Sequence, residues 1–281
     1  MLLHTCGTLF CIFCFQTINI KCILAQIINL LAFSMKISVV TVAFNSALTI
    51  KKTIESVLNQ DYQDFEYIVV DGASKDNTLE ILKSYGNKIR WISEPDKGIY
   101  DAMSKGVKMA TGDVVGIVNS DDYYPDTQVL SRVADAFKNN KIDAVYGDLQ
   151  YVDFNDETKV TRNWISGEYN RDKFLKGWMP PHPTFFLTKA AYNAYGVYDI
   201  SFKSAGDYEL MLRMLYKHQL KAIYIPHVQM IMRAGGVSNA SLKNRIRANK
   251  EDRRAWKMNG IKPRWYTLYA KPLSKIVQWI K

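Results

Sequence analysis

Beyond residue 22 the chain has no cysteine, since Cys6, Cys11, Cys14 and Cys22 are the whole set. The body therefore carries no disulfide framework and no thiolate nucleophile. Cys11 and Cys14 have the spacing of a ligand pair, but no second pair follows, which argues against a zinc or redox role. No GxGxxG follows the first strand-like run and no GxxxxGK(S/T) occurs. A dinucleotide fingerprint and a Walker loop are both excluded on that ground. Internal repeats and low-complexity segments are missing too. At 48% hydrophobic and 23% charged residues, the 281-residue chain has the composition of a globular protein with room for a large core.

The net charge is +10, and its placement says more than its size. Between Lys243 and Lys281 there are twelve Lys/Arg against Glu251 and Asp252, which leaves 25 of each sign in the rest. This basic tail is interleaved with Trp256, Trp265, Tyr266, Tyr269 and Trp279, and residues 268–280 have apolar positions at helical spacing. It shows no nucleic-acid-binding motif, so nucleic acid is not expected as a partner. Basic and interfacial aromatic residues together suit an anionic membrane surface, with plain solvated charge as the alternative. The apolar leader, residues 1–34, is broken by Gln16, Asn19, Lys21, Gln26 and Asn29. It reads as a miscalled start ahead of Met35, as a poor membrane anchor, or as a signal peptide without a basic n-region.

From Met35 strand and helix patterns alternate. Strands are expected at 36–43, 65–70, 89–92 and 114–118, with helices at 48–58, 76–85 and 99–110 between them. The order implies an α/β fold, a mostly parallel Rossmann-like sheet flanked by helices. A further helix is expected at 126–139, a strand at 143–147, a hairpin or loop at 148–164, a short strand at 185–187 and a helix from 205 to 215. Ligands of such sheets bind beyond the carboxyl ends of the strands. Asp71 ends the second strand and Asp121-Asp122 follow the fourth, so these acids should face one crevice. Adjacent carboxylates repel, and a hard cation such as Mg²⁺ or Mn²⁺ with a diphosphate would relieve that. The alternative is an Asp-rich turn that opens the next helix.

These pieces occur together with SVVTVAFN, VVDGASKDNT, SEPDKGIYDAMSKG, ATGDVVGIVNSDD, HPTFF, SAGDYELMLRM and RAGGVS, in that order, between about Lys36 and Gly236. The sequence resembles the family 2 glycosyltransferases of GT-A fold, especially those of bacterial exopolysaccharide biosynthesis. The resemblance implies a glycosyltransferase domain over 35–240, followed by the tail at 241–281. It implies that Asp71 contacts the base of a nucleotide sugar and that Asp121 and Asp122 hold a metal and the donor. It implies that Asp207 is the catalytic base, and that Arg233 approaches the diphosphate. Asn119, Gly72, Met103-Ser104-Lys105 and Gly206 depart from the family pattern, so Lys97 or Lys105 is the candidate for a lost phosphate contact. His182, between two prolines, either lines the acceptor side or is a loop residue. Trp178, Tyr123 and Tyr124 either stack on a sugar or pack.

The chemistry implied is inverting transfer of a sugar, UDP-linked by family habit, to a hydroxyl of a saccharide or lipid-linked acceptor. Nucleotide sugars are cytosolic, so the expected location is the inner face of the membrane. A sugar nucleotidyltransferase and a non-catalytic nucleotide-sugar-binding protein are the alternatives.

Overall fold

A computed structural model of the chain describes residues 35–234, 242–268 and 270. The leader and the end of the tail lie outside the described residues. β1 (Ile37–Ala43) is buried along its whole length, as its run of β-branched residues requires of a central parallel strand. It pairs in parallel with β2 (Phe65–Asp71) on one side and β4 (Val114–Asn119) on the other. β3 (Arg90–Ser93) extends the sheet beyond β2. Between these strands run α1 (Ile50–Leu58), α2 (Thr78–Ser84) and α3 (Ile99–Met109). The expected β-α-β-α-β-α-β order is therefore observed, with bounds shifted by one or two residues.

After α4 (Val129–Lys138) comes β5 (Ala144–Val152), which runs five residues beyond the expected strand and turns back into β6 (Val160–Trp164). β7 (Phe186–Thr188) links the two halves of the sheet, antiparallel to both β4 and β5. α5 (Lys189–Tyr195) follows. The expected helix from 205 is α6 (Gly206–Met211), continued by a wider helical turn over Leu212–Lys217.

β8 (Ala222–Arg233) is a twelve-residue strand that the sequence pattern hides. Pro226 and His227 interrupt its alternation, and its parallel pairing with β5 shifts register around Gly147–Leu149. A proline and a bulge together erase the period-two signal. α7 (Leu242–Met258) then packs against α6.

The register aligns the carboxyl ends. Ala43 is opposite Asp71, Asp71 is opposite Ser93, and Val42 is opposite Asn119. Tyr123 pairs with Ile231, which ties the turn after β4 to β8.

The stretch read as a basic tail is, in its described part, integral to this unit. Trp256 is fully buried and donates from its indole to the Tyr208 hydroxyl at 2.9 Å. Thr267 reaches the Leu175 carbonyl at 2.6 Å. Its two acids, Glu251 and Asp252, are buried, so the outward charge is almost wholly basic.

Candidate active site

Asp71 sits at the last position of β2 with no exposed surface. Its carboxylate accepts from the Ser74 backbone at 2.9 Å, from the Ser74 hydroxyl, and from the Ser93 hydroxyl at 2.7 Å. Ser74 in turn accepts from the Asn45 backbone at 2.8 Å. The ends of β1, β2 and β3 are thus stitched through one buried carboxylate. A Cβ at Gly72 would collide with the Asp96 carboxylate. The acid that the family pattern places beside Asp71 is absent at 72, and the Asp96 carboxylate lies next to that position.

The turn after β4 is held just as firmly. Ser120 meets the Ser46 hydroxyl at 2.7 Å, and Thr53 of α1 donates to the carbonyls of Ser120 and Asp122 at 3.0 and 2.7 Å. Asp121 is partly exposed, whereas Asp122 is wholly buried. One Asp122 oxygen accepts from the Asn119 amide at 2.9 Å. Among the described residues the other, Oδ1, has no hydrogen-bond partner, and neither has Asn119 Oδ1. Burial and the neighbouring Asp121 charge push the Asp122 carboxyl well above the usual range. Asn119 and Arg233 act in the opposite direction and do not cancel this.

A carboxylate with an orphaned buried oxygen beside a second, open carboxylate fits a hard divalent cation. Among the described residues no group of three His, Cys, Asp or Glu forms a closed cage. That suits a metal taking one or two protein carboxylates and completing its shell with phosphate oxygens and water.

Arg233, at the end of β8, is nearly buried beside this turn. It donates to the Asp121 carbonyl and, at 2.7 Å, to Glu157 in the β5–β6 loop. Lys52 of α1 also reaches Glu157, and Lys52 and Arg233 lie over the Tyr123 ring at 4.0 and 5.0 Å. Burial, then the nearby Arg233 charge, lowers the Lys52 pKa. Sequence reading missed Lys52 and Glu157 because neither belongs to a recognisable motif.

Lys97 is exposed on the turn before α3. Lys105 is engaged by Glu94 at 2.8 Å, by the Pro95 carbonyl at 2.9 Å and by Asp101 at 3.7 Å. It therefore braces that turn. Met103 and Ser104 are buried in the core, and the Ser104 hydroxyl donates to the Tyr198 carbonyl at 3.2 Å. Trp178 packs edge-on against Phe174 and Tyr146, with centroids 5.6 and 5.9 Å apart. Tyr124 is buried. Packing thus occupies Trp178 and Tyr124.

Asp207 stands in the first turn of α6. Its Oδ1 accepts from the Tyr100 hydroxyl at 3.1 Å, and its Oδ2 lies 3.0 Å from His182 Nδ1. Burial, together with the Asp207 charge, keeps Tyr100 protonated as a donor. Gly206 has a packing reason: a Cβ there would lie 2.8–2.9 Å from the Tyr100 ring. The ring fills the space that a family glutamate would take. Tyr151 of β5 feels both Asp122 and Asp207, so the two acidic centres act on one side chain. Tyr100 lies within the SEPDKGIYDAMSKG stretch, but sequence reading gave it no role.

An α/β sheet with acids at the ends of β2 and β4, and a third acid held at a helix start behind them, defines a GT-A glycosyltransferase architecture. The family model for glycosyl transferase family 2 matches residues 38–198, and the chain belongs to that family. A PGL/p-HBAD biosynthesis glycosyltransferase of Mycobacterium bovis (strain BCG / Pasteur 1173P2) is 29% identical over 210 residues, covering 72% of this chain and 78% of that protein. An uncharacterized glycosyltransferase of Mycobacterium tuberculosis (strain CDC 1551 / Oshkosh) is 31% identical over 183 residues, covering 63% and 68%. Among solved structures, S. aureus TarS 1-349 in complex with UDP-GlcNAc superposes with a TM-score of 0.64 at 20% identity, covering 80% of this chain and 65% of that one. The protein is a glycosyltransferase, and membership of this family removes the nucleotidyltransferase alternative.

Proposed function

We propose that the protein is an inverting, metal-dependent transferase that moves a sugar from a nucleoside diphosphate, UDP by preference, to a hydroxyl of a saccharide or lipid-linked acceptor. The observation that carries this reading is the pair Asp121-Asp122, one open and one buried with an unpaired oxygen, on the strand-end edge that also holds Asp71. Asp121 and Asp122 would hold Mg²⁺ or Mn²⁺, which when bound neutralises charge on the leaving diphosphate. Asp71 fixes the walls of the base site, and Arg233 and Lys52 supply positive charge beside the phosphates, with the exposed Lys97 before α3 as a further candidate. Asp207 provides the carboxylate on which loss of the acceptor proton depends. Attack from the face opposite the leaving group inverts the anomeric carbon.

The relatives support the same reading. TarS is solved with UDP-GlcNAc, and a mannosyltransferase from Pyrobaculum calidifontis, TM-score 0.59 at 18% identity, is solved with GDP-Man and Mn²⁺. Similar in sequence are the PGL/p-HBAD biosynthesis glycosyltransferase and, at 29% identity over 20% of its length, a chondroitin synthase of Pasteurella multocida (strain Pm70). Cell-surface glycolipid or polysaccharide assembly at the inner membrane face is the corresponding role here.

A screen of UDP-, GDP- and dTDP-sugars with Mn²⁺, read first as thermal shift and then as nucleotide release, tests the donor. One sugar nucleotide should stabilise the protein and be consumed, and Asp207→Asn should lower turnover at least 100-fold, within the usual range for a lost general base. Full turnover in that variant would remove Asp207 from the mechanism.

A further inference from the structure

The group that faces Asp207 is held as carefully as Asp207 itself. His182 opens a tight turn, His182–Thr184, between two buried prolines. Thr184 anchors that turn to β5, meeting the Gly147 backbone N–H and carbonyl at 3.1 Å and the Pro181 carbonyl at 2.9 Å. The Phe185 N–H closes it on the His182 carbonyl at 3.1 Å. The imidazole is thus fixed by rigid backbone, with Nδ1 turned to the Asp207 carboxylate and the ring about a third exposed, more open than Asp207 at 17%.

An imidazole that keeps its proton on Nδ1, facing the partly buried Asp207 carboxylate 3.0 Å away, presents a lone pair on Nε2. That is the arrangement in which a carboxylate fixes the tautomer, steadies the imidazolium that forms, and leaves the other nitrogen to collect a proton. Among the described residues none hydrogen-bonds to His182 Nε2. Asp207, by contrast, already shares one oxygen with Tyr100 and the other with His182.

Resting on the transferase reading, we infer that His182 and Asp207 form one base in which His182 Nε2 takes the acceptor's proton and Asp207 orients the ring. As the acceptor oxygen bonds to the anomeric carbon, the bond from that carbon to the phosphate oxygen breaks and its electron pair leaves on the diphosphate. The hydroxyl proton passes to Nε2, and the imidazolium stands against the Asp207 carboxylate until water removes the proton. Tyr100 from α3, Tyr198 stacked on it, and Tyr151 from β5 with Arg162 over its ring complete the ionisable surroundings. Burial keeps all three tyrosines protonated, so none competes for the proton.

The test uses the full chain with UDP-GlcNAc as probe donor and UDP release to water as the readout. His182→Asn keeps a donor for Asp207 but has no second nitrogen, so it separates holding the carboxylate from accepting a proton. We expect its rate to fall about 100-fold with UDP affinity by calorimetry unchanged, and His182→Gln to do no better. A wild-type rate in His182→Asn would overturn the inference and leave Asp207 as the whole base. Independently of any substrate, ¹⁵N spectra of the imidazoles should show His182 as the Nδ1–H tautomer in the wild type and not in Asp207→Ala. An Nε2–H tautomer in the wild type would overturn the inference on its own. A wild-type chain that neither binds UDP nor releases it would instead count against UDP as the donor, while the tautomer still decides the pairing.

Discussion

Gly206 and Tyr100 show why departures from a family pattern have to be judged in three dimensions. On sequence alone, glycine before Asp207 looks like the loss of a tuning neighbour. In the fold, the Tyr100 ring occupies the missing side chain's place and its hydroxyl reaches Asp207. Gly206→Ala would overpack this contact, so it should cost about 1–3 kcal/mol of stability. Denaturant titration should show the loss, and turnover should fall as Asp207 is displaced. Tyr100→Phe should leave stability nearly unchanged and still slow turnover. Equal loss of stability in both variants would mean that the hydroxyl, not the ring, sets the packing. Asp71, Asp121, Asp122 and Asp207 were all legible as candidates because strand ends and motif order mark them. Tyr100, Lys52 and Glu157 were not, because what selects them is proximity across sequence separations of about a hundred residues.

The first half of the sheet could be read from periodicity because each strand is a short buried apolar run set between amphipathic helices. β8 could not, since Pro226 and the register shift mask its alternation. Contacts between elements carry further predictions. Glu66 at the start of β2 accepts from Ser38 of β1 at 2.6 Å and from the Thr111 N–H and hydroxyl ahead of β4. Burial alone would raise its pKa, but these hydrogen bonds and Lys36 outweigh it and hold the carboxyl below its usual range. A depressed carboxyl contributes stability above its unfolded pKa and loses it as the pH falls through its folded one. Glu66→Gln should therefore lower the melting temperature at pH 7 and flatten its decline below about pH 4.3, the ordinary glutamate value. An unchanged slope of melting temperature against pH would show that Glu66 does not carry the linkage. Glu251 of α7 likewise accepts from the backbone N–H groups of Lys203, Ser204 and Ala205 at 2.7–3.2 Å, just ahead of Asp207. Charge-assisted bonds of this kind contribute about 1.5–3 kcal/mol each. Glu251→Ala should lower both the melting temperature and turnover, whereas an effect on stability alone would uncouple α7 from the site.

For the whole molecule, charge and apolar exposure coincide on the α7 side. Trp265 is 85% exposed, Ile246 and Met258 are about half exposed, and the two acids of this stretch, Glu251 and Asp252, are buried. No helix among the described residues is long and apolar enough to cross a membrane. We propose a peripheral contact of this surface with anionic lipid; Trp265→Ala should then lower sedimentation with anionic vesicles without altering UDP binding. Removing residues 271–281 tests the end of the tail while keeping Trp256 and Thr267 with their partners; vesicle binding equal to the parent's in both variants would reject the membrane role. The central proposal is that Asp121 and Asp122 hold a diphosphate and a divalent cation together in the crevice at the strand ends. Calorimetry of UDP binding, with Mn²⁺ and then with a chelator, measures this most directly. The account predicts at least tenfold tighter binding with metal, abolished when Asp121 and Asp122 are both replaced by alanine. UDP affinity that is the same with and without metal would contradict it.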